Sequence, residues 1–435
     1  MQVREFRQFD SRRRKWDMWN MKRLAVLLLA VLAAAPLAAQ GTAAADVRRE
    51  YPFILRDDPA RLFTMRQIDQ DYLSGYRLFA GLVSRNTKPV IAFVIQGLFD
   101  YGFFKTLTHE EAHRSILVGE DIGAVSHPFP FEKRTGYVDG VTDAVLQNLR
   151  DTKLPTFIRL HTAGLESDYM LATREETLMA FGDESSRNLI VEYLIRKVSL
   201  VRYLTEGLFH HDTDGPEEAN ELERDIVGND VYGAIRHLFR PAMPYTRYTR
   251  LADLTGEERS YLKRVEWRSF LNLVNPNVIG VTGFRVSDDL RLNVGLGHCL
   301  GPFGDFIDEK VWLAYRRSVK VTAYLREFEN LDRWFLGAGL GLLDYPVTER
   351  VLVSAAGHYW NQPDGLGFTA RSGKAGGAID VTGRYRFPLR SGGRVDDISL
   401  DVGLIWKTAG FLPEELAMDR HFGLRCGLTL GFGGR

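Results

Sequence analysis

The sequence contains few of the residues that mark several common protein classes. It has two cysteines, Cys299 and Cys426, and ten histidines in 435 residues. Two cysteines are too few for a disulfide-rich scaffold. The 56 basic and 56 acidic residues give a formal net charge of zero. No basic stripe accompanies this balance, so the composition argues against nucleic-acid binding.

The N-terminal region lacks an apolar run long enough to predict a membrane span. A basic segment, Met21-Lys22-Arg23, precedes about a dozen apolar residues from Leu24 to Ala35, and small residues follow. This order is typical of a secretory signal peptide. We therefore expect residues 1–45 to be an export signal, with Met21 as an alternative start that makes residues 1–20 a mis-assigned extension. The mature protein is then exported.

A five-residue motif, His109-Glu110-Glu111-Ala112-His113, carries the strongest chemical signal. It lies in a segment whose apolar pattern predicts a helix, and residues four apart on a helix share one face. Both imidazoles can then reach one ion, with Glu110 beside them. This is the H-E-x-x-H arrangement of zinc hydrolases, where the glutamate is the general base. The apolar run from Val90 to Ile95 predicts that this helix lies in a core.

A catalytic zinc needs a third protein ligand. Glu166 is our first choice, at the start of a second helical pattern in which Gly164 permits close helix approach. The arrangement resembles the gluzincin metallopeptidases, whose third ligand is a glutamate on a helix downstream of H-E-x-x-H. The chain departs from that family's Glu-x-x-x-Asp pattern, because position 170 is Met and Asp168 follows two residues after Glu166.

Other third ligands stay open from the sequence. Carboxylates are mostly surface residues, so Glu166 could equally be an exposed helix carboxylate. The metzincin extension, with a glycine and a third histidine after His113, is absent. The alternative ligands are His161, Asp168, Glu184 and Glu192.

The chain divides into two parts with different apolar periods. Residues 46–275 show apolar positions three and four apart, which predicts an all-helical domain whose last helix begins at the N-cap Thr255 and stops before Pro276. Residues 276–435 alternate with a period of two. In the run from Phe422 to Phe432, large apolar residues alternate with glycine, arginine and threonine.

This alternation predicts an antiparallel β-barrel of about eight strands, with an apolar outer face and a polar lumen, as in outer-membrane proteins. The segment 311–328 is long and could be two strands, which would make the count odd. A soluble lipocalin-like barrel or a sandwich is the alternative. Cys426 would then face outward while Cys299 lies beyond the end of the second strand, so no disulfide is expected.

The sequence therefore predicts an exported zinc metallopeptidase, anchored in the outer membrane by its barrel and facing the periplasm. Its ligands would be His109, His113 and Glu166, its cofactor Zn²⁺ and its general base Glu110. Its partners would be outer-membrane lipid and a protein or peptide substrate, with no nucleic acid. The alternatives are a non-catalytic outer-membrane structural or binding protein, and a zinc-dependent lipid or cell-wall hydrolase.

Overall fold

The structure, a computed structural model, describes residues 48–58, 63–129, 136–205, 218–316, 318–389 and 395–433. The expected signal peptide lies outside these residues. The helices are α1 (Met65–Asn86), α2 (Pro89–Phe99), α3 (Lys105–Gly119), α4 (Asp143–Thr152), α5 (Leu154–Phe181), α6 (Ser186–Thr205), α7 (Asp230–Phe239) and α8 (Gly256–Ser269). The strands are β1 (Arg49–Asp57), β2 (Val125–His127), β3 (Tyr137–Asp139), β4 (Phe284–Arg285), β5 (Leu290–Gly301), β6 (Gly304–Tyr315), β7 (Val319–Glu329), β8 (Trp334–Pro346), β9 (Val351–Pro363), β10 (Gly373–Pro388), β11 (Asp397–Lys407) and β12 (His421–Phe432).

Ten strands form one antiparallel sheet in the order β1-β12-β11-β10-β9-β8-β7-β6-β5-β4. The sheet is open, because no ladder of the described residues joins β1 to β4. The expected closed barrel of eight strands is therefore wrong in both closure and count. The segment 311–328 belongs to two strands, β6 and β7, and an N-terminal strand joins the sheet. The two edges face one cavity of about 1430 Å³, lined by Glu50 and Pro52 from β1 and by Phe284 and Arg285 from β4.

The two faces of the sheet have opposite polarity, as the period-two pattern predicts. Along β11, Leu400, Val402, Leu404 and Trp406 are each more than 40% exposed, while the alternate residues are buried. The buried alternates include Asp401, which accepts a hydrogen bond from Arg384 Nε over 2.7 Å. The concave side of the sheet thus holds charge and glycine together with a buried apolar cluster that includes Phe306, Phe328, Phe335, Trp360 and Ile405, and its outer side holds apolar side chains.

Helix α5 packs against this concave polar face. Tyr169 donates to Asp308 over 2.6 Å, and Trp312 Nε1 donates to Thr177 Oγ1 over 2.8 Å. Lys310 Nζ lies 2.6 Å from Glu176 Oε2. These bonds join helix and sheet through buried polar pairs, which stabilise only when both partners are present.

The open edge of β1 is covered by side chains of α1, a contact that we call the α1 clasp. An exposed strand edge leaves backbone groups without partners. Here Asp71 accepts from the Ile54 backbone amide over 2.7 Å. The donors to β1 carbonyls are Gln67 to Ile54 (2.8 Å), Ser74 to Pro52 (2.5 Å) and Arg77 to Glu50 (2.9 Å). Side chains about one helical turn apart therefore replace a neighbouring strand.

The N-terminal part was predicted to be all-helical, and this prediction is wrong. Strand β1 pairs with β12, and the short strands β2 and β3 form a hairpin. The predicted last helix is confirmed: Thr255 caps α8 and forms a capping box with Glu258. It ends at Ser269 and continues as a 3₁₀ turn to Leu273, so the helical conformation stops before Pro276 as predicted.

Helix α2 contradicts the expectation of a core helix. It runs through a π-helical segment, Asp100–Phe104, directly into α3. Its large apolar residues are exposed, for example Val90 at 75% and Leu98 at 68%. Apolar composition alone had predicted burial, but this helix turns its apolar face outward.

The two cysteines are free thiols, as predicted. Cys299 is buried near the end of β5, and Cys426 lies in β12. The fold therefore depends on packing and buried polar pairs without a disulfide.

We predict that Arg159→Met lowers the free energy of unfolding by about 3–5 kcal/mol, because it leaves the buried Glu166 without its charge partner. Arg159 binds both oxygens of Glu166, at 2.6 and 2.9 Å, and both side chains are almost fully buried. Denaturant unfolding measures the change. In the control Arg316→Met, whose pair with Asp289 is exposed, the loss should stay below about 1 kcal/mol. Equal losses in both variants would contradict this reading.

Candidate metal centre

Three ligating side chains converge where α3, α5 and α7 meet. His109 and His113 lie one turn apart on α3, and Asp230 is the first residue of α7. His109 Nε2 lies 3.0 Å from Asp230 Oδ2, and His113 Nε2 lies 3.6 Å from the same oxygen. One donor atom from each residue falls within 4.8 Å of the others, and all three residues are buried.

The second ring nitrogen of each histidine is held by α5. His113 Nδ1 donates to the Leu160 carbonyl over 2.7 Å. His109 Nδ1 approaches Asp168 Oδ2 at 3.4 Å. A proton held on Nδ1 leaves Nε2 as the free lone pair, so both rings present the ligating tautomer to the same point. His109 also stacks on Tyr203, with ring centroids 4.9 Å apart.

The two distances to Asp230 are compatible with a tetrahedral zinc site. Two nitrogen or oxygen ligands about 2.0–2.1 Å from a tetrahedral zinc are about 3.3 Å apart. The Asp230 oxygen lies 3.0 Å from one Nε2 and 3.6 Å from the other, on either side of that value. Two imidazoles and one carboxylate are also a donor set used by catalytic zinc, which keeps its fourth position for water or substrate.

Local sequence explains how the elements come this close. Gly164 lets α5 lie against the motif helix, since a Cβ there would stand 2.3 Å from His109 Nε2. This agrees with the close approach expected at this glycine. Asn229 caps α7 by accepting from the Tyr232 amide over 3.0 Å, which places Asp230 at the first turn. The positive end of a helix dipole favours a carboxylate there.

Glu110 lies beside the three ligands but outside their group. It is 7% exposed and makes no hydrogen bond with another side chain in the described segments. A Cβ on Gly136 would approach its Cγ to 2.8 Å, so the glycine gives this carboxylate its space. Burial raises the pKa of Glu110, and the neighbouring His109 and His113 lower it in part.

The charges at the site are strongly coupled. Burial alone would lower the pKa of His109, but hydrogen bonds with Asp168 and Asp230 outweigh it and raise the pKa to about 10. Burial would raise the pKa of Asp230, yet the His113 charge and the His109 hydrogen bond hold it well below its usual range. Without metal the cluster therefore holds protons, and a metal ion must displace them.

A further acid, the partly buried Asp225, interacts electrostatically with Glu110. Burial raises its pKa to about 7, and repulsion from Glu110 adds to the shift, while His113 opposes it. Its backbone amide donates to Tyr248, and its carboxylate accepts from the Val138 amide over 3.4 Å. Sequence reasoning did not single out this residue.

The structure brings together three of the four predicted site residues. His109, His113 and Glu110 share the site, whereas Glu166 is placed elsewhere. Both Glu166 oxygens accept from Arg159, and one also accepts from the Glu414 amide over 2.7 Å. The side chain is 2% exposed, so it is not the surface carboxylate of the alternative interpretation either. It joins α5 to the loop before β12.

The alternative ligands also have other roles. Asp168 binds His109 from behind and is itself held by Arg196 Nη1 over 2.6 Å. Glu192 pairs with Arg196, and Glu184 pairs with Arg77. His161 is fully buried, and burial lowers its pKa to about 4, so it is neutral.

Asp230 is the candidate ligand that sequence reasoning missed. It lies far downstream of the motif, so spacing cannot connect the two. One local signal was present: Asn229-Asp230 precedes the apolar pattern of a helix, which is an N-cap position that places a carboxylate at a helix start. No protein-family model matches the chain, and no curated protein sequence is similar to it.

We predict that Asp230→Asn weakens zinc binding by at least about 100-fold, since loss of a supporting partner alone costs 10–100-fold. Glu166→Gln is the matched control, because it also neutralises a buried carboxylate, in this case one on α5. This variant should leave the zinc affinity unchanged. Competition with a chromophoric chelator measures both. Loss of zinc in the Glu166 variant with retention in the Asp230 variant would reverse the assignment.

We also predict that Gly164→Ala reduces zinc stoichiometry, because the added methyl group occupies the space of the His109 ring. Gly75→Ala is a suitable control, since nothing lies within 4 Å of a Cβ at that helical position. Elemental analysis of the two purified proteins gives the comparison. Full zinc occupancy in both would contradict the packing argument.

Proposed function

We propose that the protein is a zinc-dependent hydrolase, and that its reaction is peptide-bond hydrolysis. The observation that carries this proposal is the convergence of both motif histidines with Asp230, each imidazole being held through Nδ1 by α5. Zinc, when bound, lowers the pKa of water and polarises a carbonyl group. His109, His113 and Asp230 are the residues that would hold it.

Glu110 takes the role of general base. It lies next to the ligands and is nearly buried, and no side chain of the described residues donates a hydrogen bond to its carboxylate. In hydrolysis it would receive the proton of the attacking water and pass it to the leaving amine. Its raised pKa brings it closer to neutral pH, where a base can both accept and return a proton. The proposed substrate class, a protein or peptide, rests on the resemblance of the motif to zinc metallopeptidases.

The location that we propose is the outer membrane, after export. The outer face of the sheet supports it: many outer side chains of β7 to β12 are apolar and exposed, while paired charges lie on the inner face beside the buried apolar cluster. Such a surface is stable against lipid and unfavourable against water. The α1 clasp satisfies β1, which matters because an unpaired strand edge is costly in hydrocarbon.

A second function, a zinc-dependent lipid hydrolase, is favoured by one specific observation. The helix that carries the motif is continuous with α2, whose exposed side chains are apolar. A site so connected could act on lipid instead of peptide. Activity assays with casein and with phospholipid vesicles separate the two.

We predict that Glu110→Gln reduces hydrolysis by about 10²–10⁴-fold while zinc remains bound, because it removes the base and none of the ligands. Glu111→Gln is the control: this neighbour points away to Arg114, which donates to it over 2.7 Å, and its loss should leave the rate unchanged. Rate and zinc content are measured on the same preparations. Full activity of the Glu110 variant would refute the hydrolase proposal.

A further inference from the structure

Helix α2 buries polar side chains and exposes apolar ones. Its fully or nearly fully buried residues are Ala92, Gln96 and Asp100, spaced by four along one face. Two of these three are polar. Gln96 donates to Ser84 over 3.2 Å, and Tyr72 donates to Asp100 over 3.3 Å. The inward face of this helix is therefore hydrogen-bonded, where a soluble protein would place apolar side chains.

The outward face of the same helix and its π-helical continuation is apolar. Its side chains are exposed by 37–75%: Val90, Ile91, Phe93, Val94, Leu98, Phe99, Tyr101 and Phe103. Between Lys88 and Phe104 the sequence has one acid, Asp100, and it is buried. Contiguous apolar patches of this kind mark a surface that another apolar phase covers.

The length and charge of the segment fit a bilayer. Among the described residues, one continuous helix, Pro89–Gly119, is long and apolar enough to cross a membrane, with a mean hydropathy of 1.4 and 17% of its apolar window buried. Exposed basic residues, Arg85 and Lys88, flank the start of the apolar face. Basic residues at the edge of an apolar helix face suit anionic lipid headgroups.

The rest of the molecule indicates what covers the apolar face of α2. The outer face of the sheet is also apolar and exposed, and paired charges lie on its inner face beside a buried apolar cluster. A soluble partner protein would need to cover one helix face and would leave the sheet surface unexplained. A single apolar phase covers both, and that phase is lipid.

We propose that the outward face of α2 and of the segment Asp100–Phe104 inserts into the bilayer surface, as a second membrane contact besides the sheet. This inference rests on the proposed membrane location and goes beyond it, because it gives the helical part its own lipid contact. The first ligand, His109, follows Phe104 by five residues of the same helix, which is about 8 Å along its axis. The metal centre then works next to the membrane surface, on substrates that lie at it.

Nitroxide labels in the full mature chain test this. The background variant carries Cys299→Ser and Cys426→Ser, with zinc content and circular dichroism checked against the unmodified protein. Single cysteines are then introduced as Leu98→Cys on α2, Leu340→Cys on the outer face of β8 and Leu222→Cys as the control for an exposed apolar residue away from α2. The protein is reconstituted in phosphatidylethanolamine–phosphatidylglycerol vesicles, and collision with oxygen and with a water-soluble nickel complex is measured.

Lipid favours oxygen and excludes nickel, so we expect a positive logarithm of the oxygen-to-nickel ratio at positions 98 and 340 and a negative one at 222. Lipid contact at 340 with water contact at 98 overturns this inference and leaves the membrane location standing. Water contact at both overturns both. A label at 98 that neither reagent reaches would show a protein partner and would also overturn the inference.

Discussion

The whole molecule depends on the pairing of charges along one helix, α5. It carries Arg159, Glu166, Asp168 and Glu176, all buried. Arg159 and Glu166 pair with each other and both contact the loop before β12, while Asp168 pairs with a residue of α6 and Glu176 with residues of α6 and β6. A buried charge without a partner costs several kcal/mol, so these pairs fix where the neighbouring helices and the sheet can lie. The same helix holds both histidine rings of the metal centre from behind. The precision of the site and the attachment of the sheet therefore have one origin.

Much of the local structure follows from sequence, since it depends on short-range patterns. The motif helix, the cap at Thr255 and most strands of the C-terminal part follow from apolar periods and capping chemistry. The polarity of the sheet faces follows too, because a period of two assigns each side chain to one face. Whether the sheet closes into a barrel could not be predicted from the sequence, because closure depends on which element lies beside β1. The alternating pattern of the strands does not predict that a helix covers the edge of β1.

Only the part of the candidate metal centre that lies on one helix could be predicted from the sequence. His109, Glu110 and His113 share one helical turn, while Asp230 comes from a helix start far along the chain. Glu166 misled the interpretation because it is a buried carboxylate on the correct helix, yet Arg159 satisfies it. Helix α2 misled it in another way, because apolar sequence shows only that water is excluded and does not distinguish a protein core from lipid.

The pairing of β1 with β12 has a consequence for when the centre becomes competent. These strands come from opposite ends of the described chain, and the loop before β12 supplies the Glu414 amide to Glu166 and the Glu415 carbonyl to Arg159. Contacts between distant parts of a sequence form late, because they require closure of the longest loops. The anchoring of α5 to this loop is therefore completed late in folding. A chain that ends before Glu414 would lack both contacts, so the helix behind the two histidine rings is not fully anchored until synthesis of the described chain is almost complete.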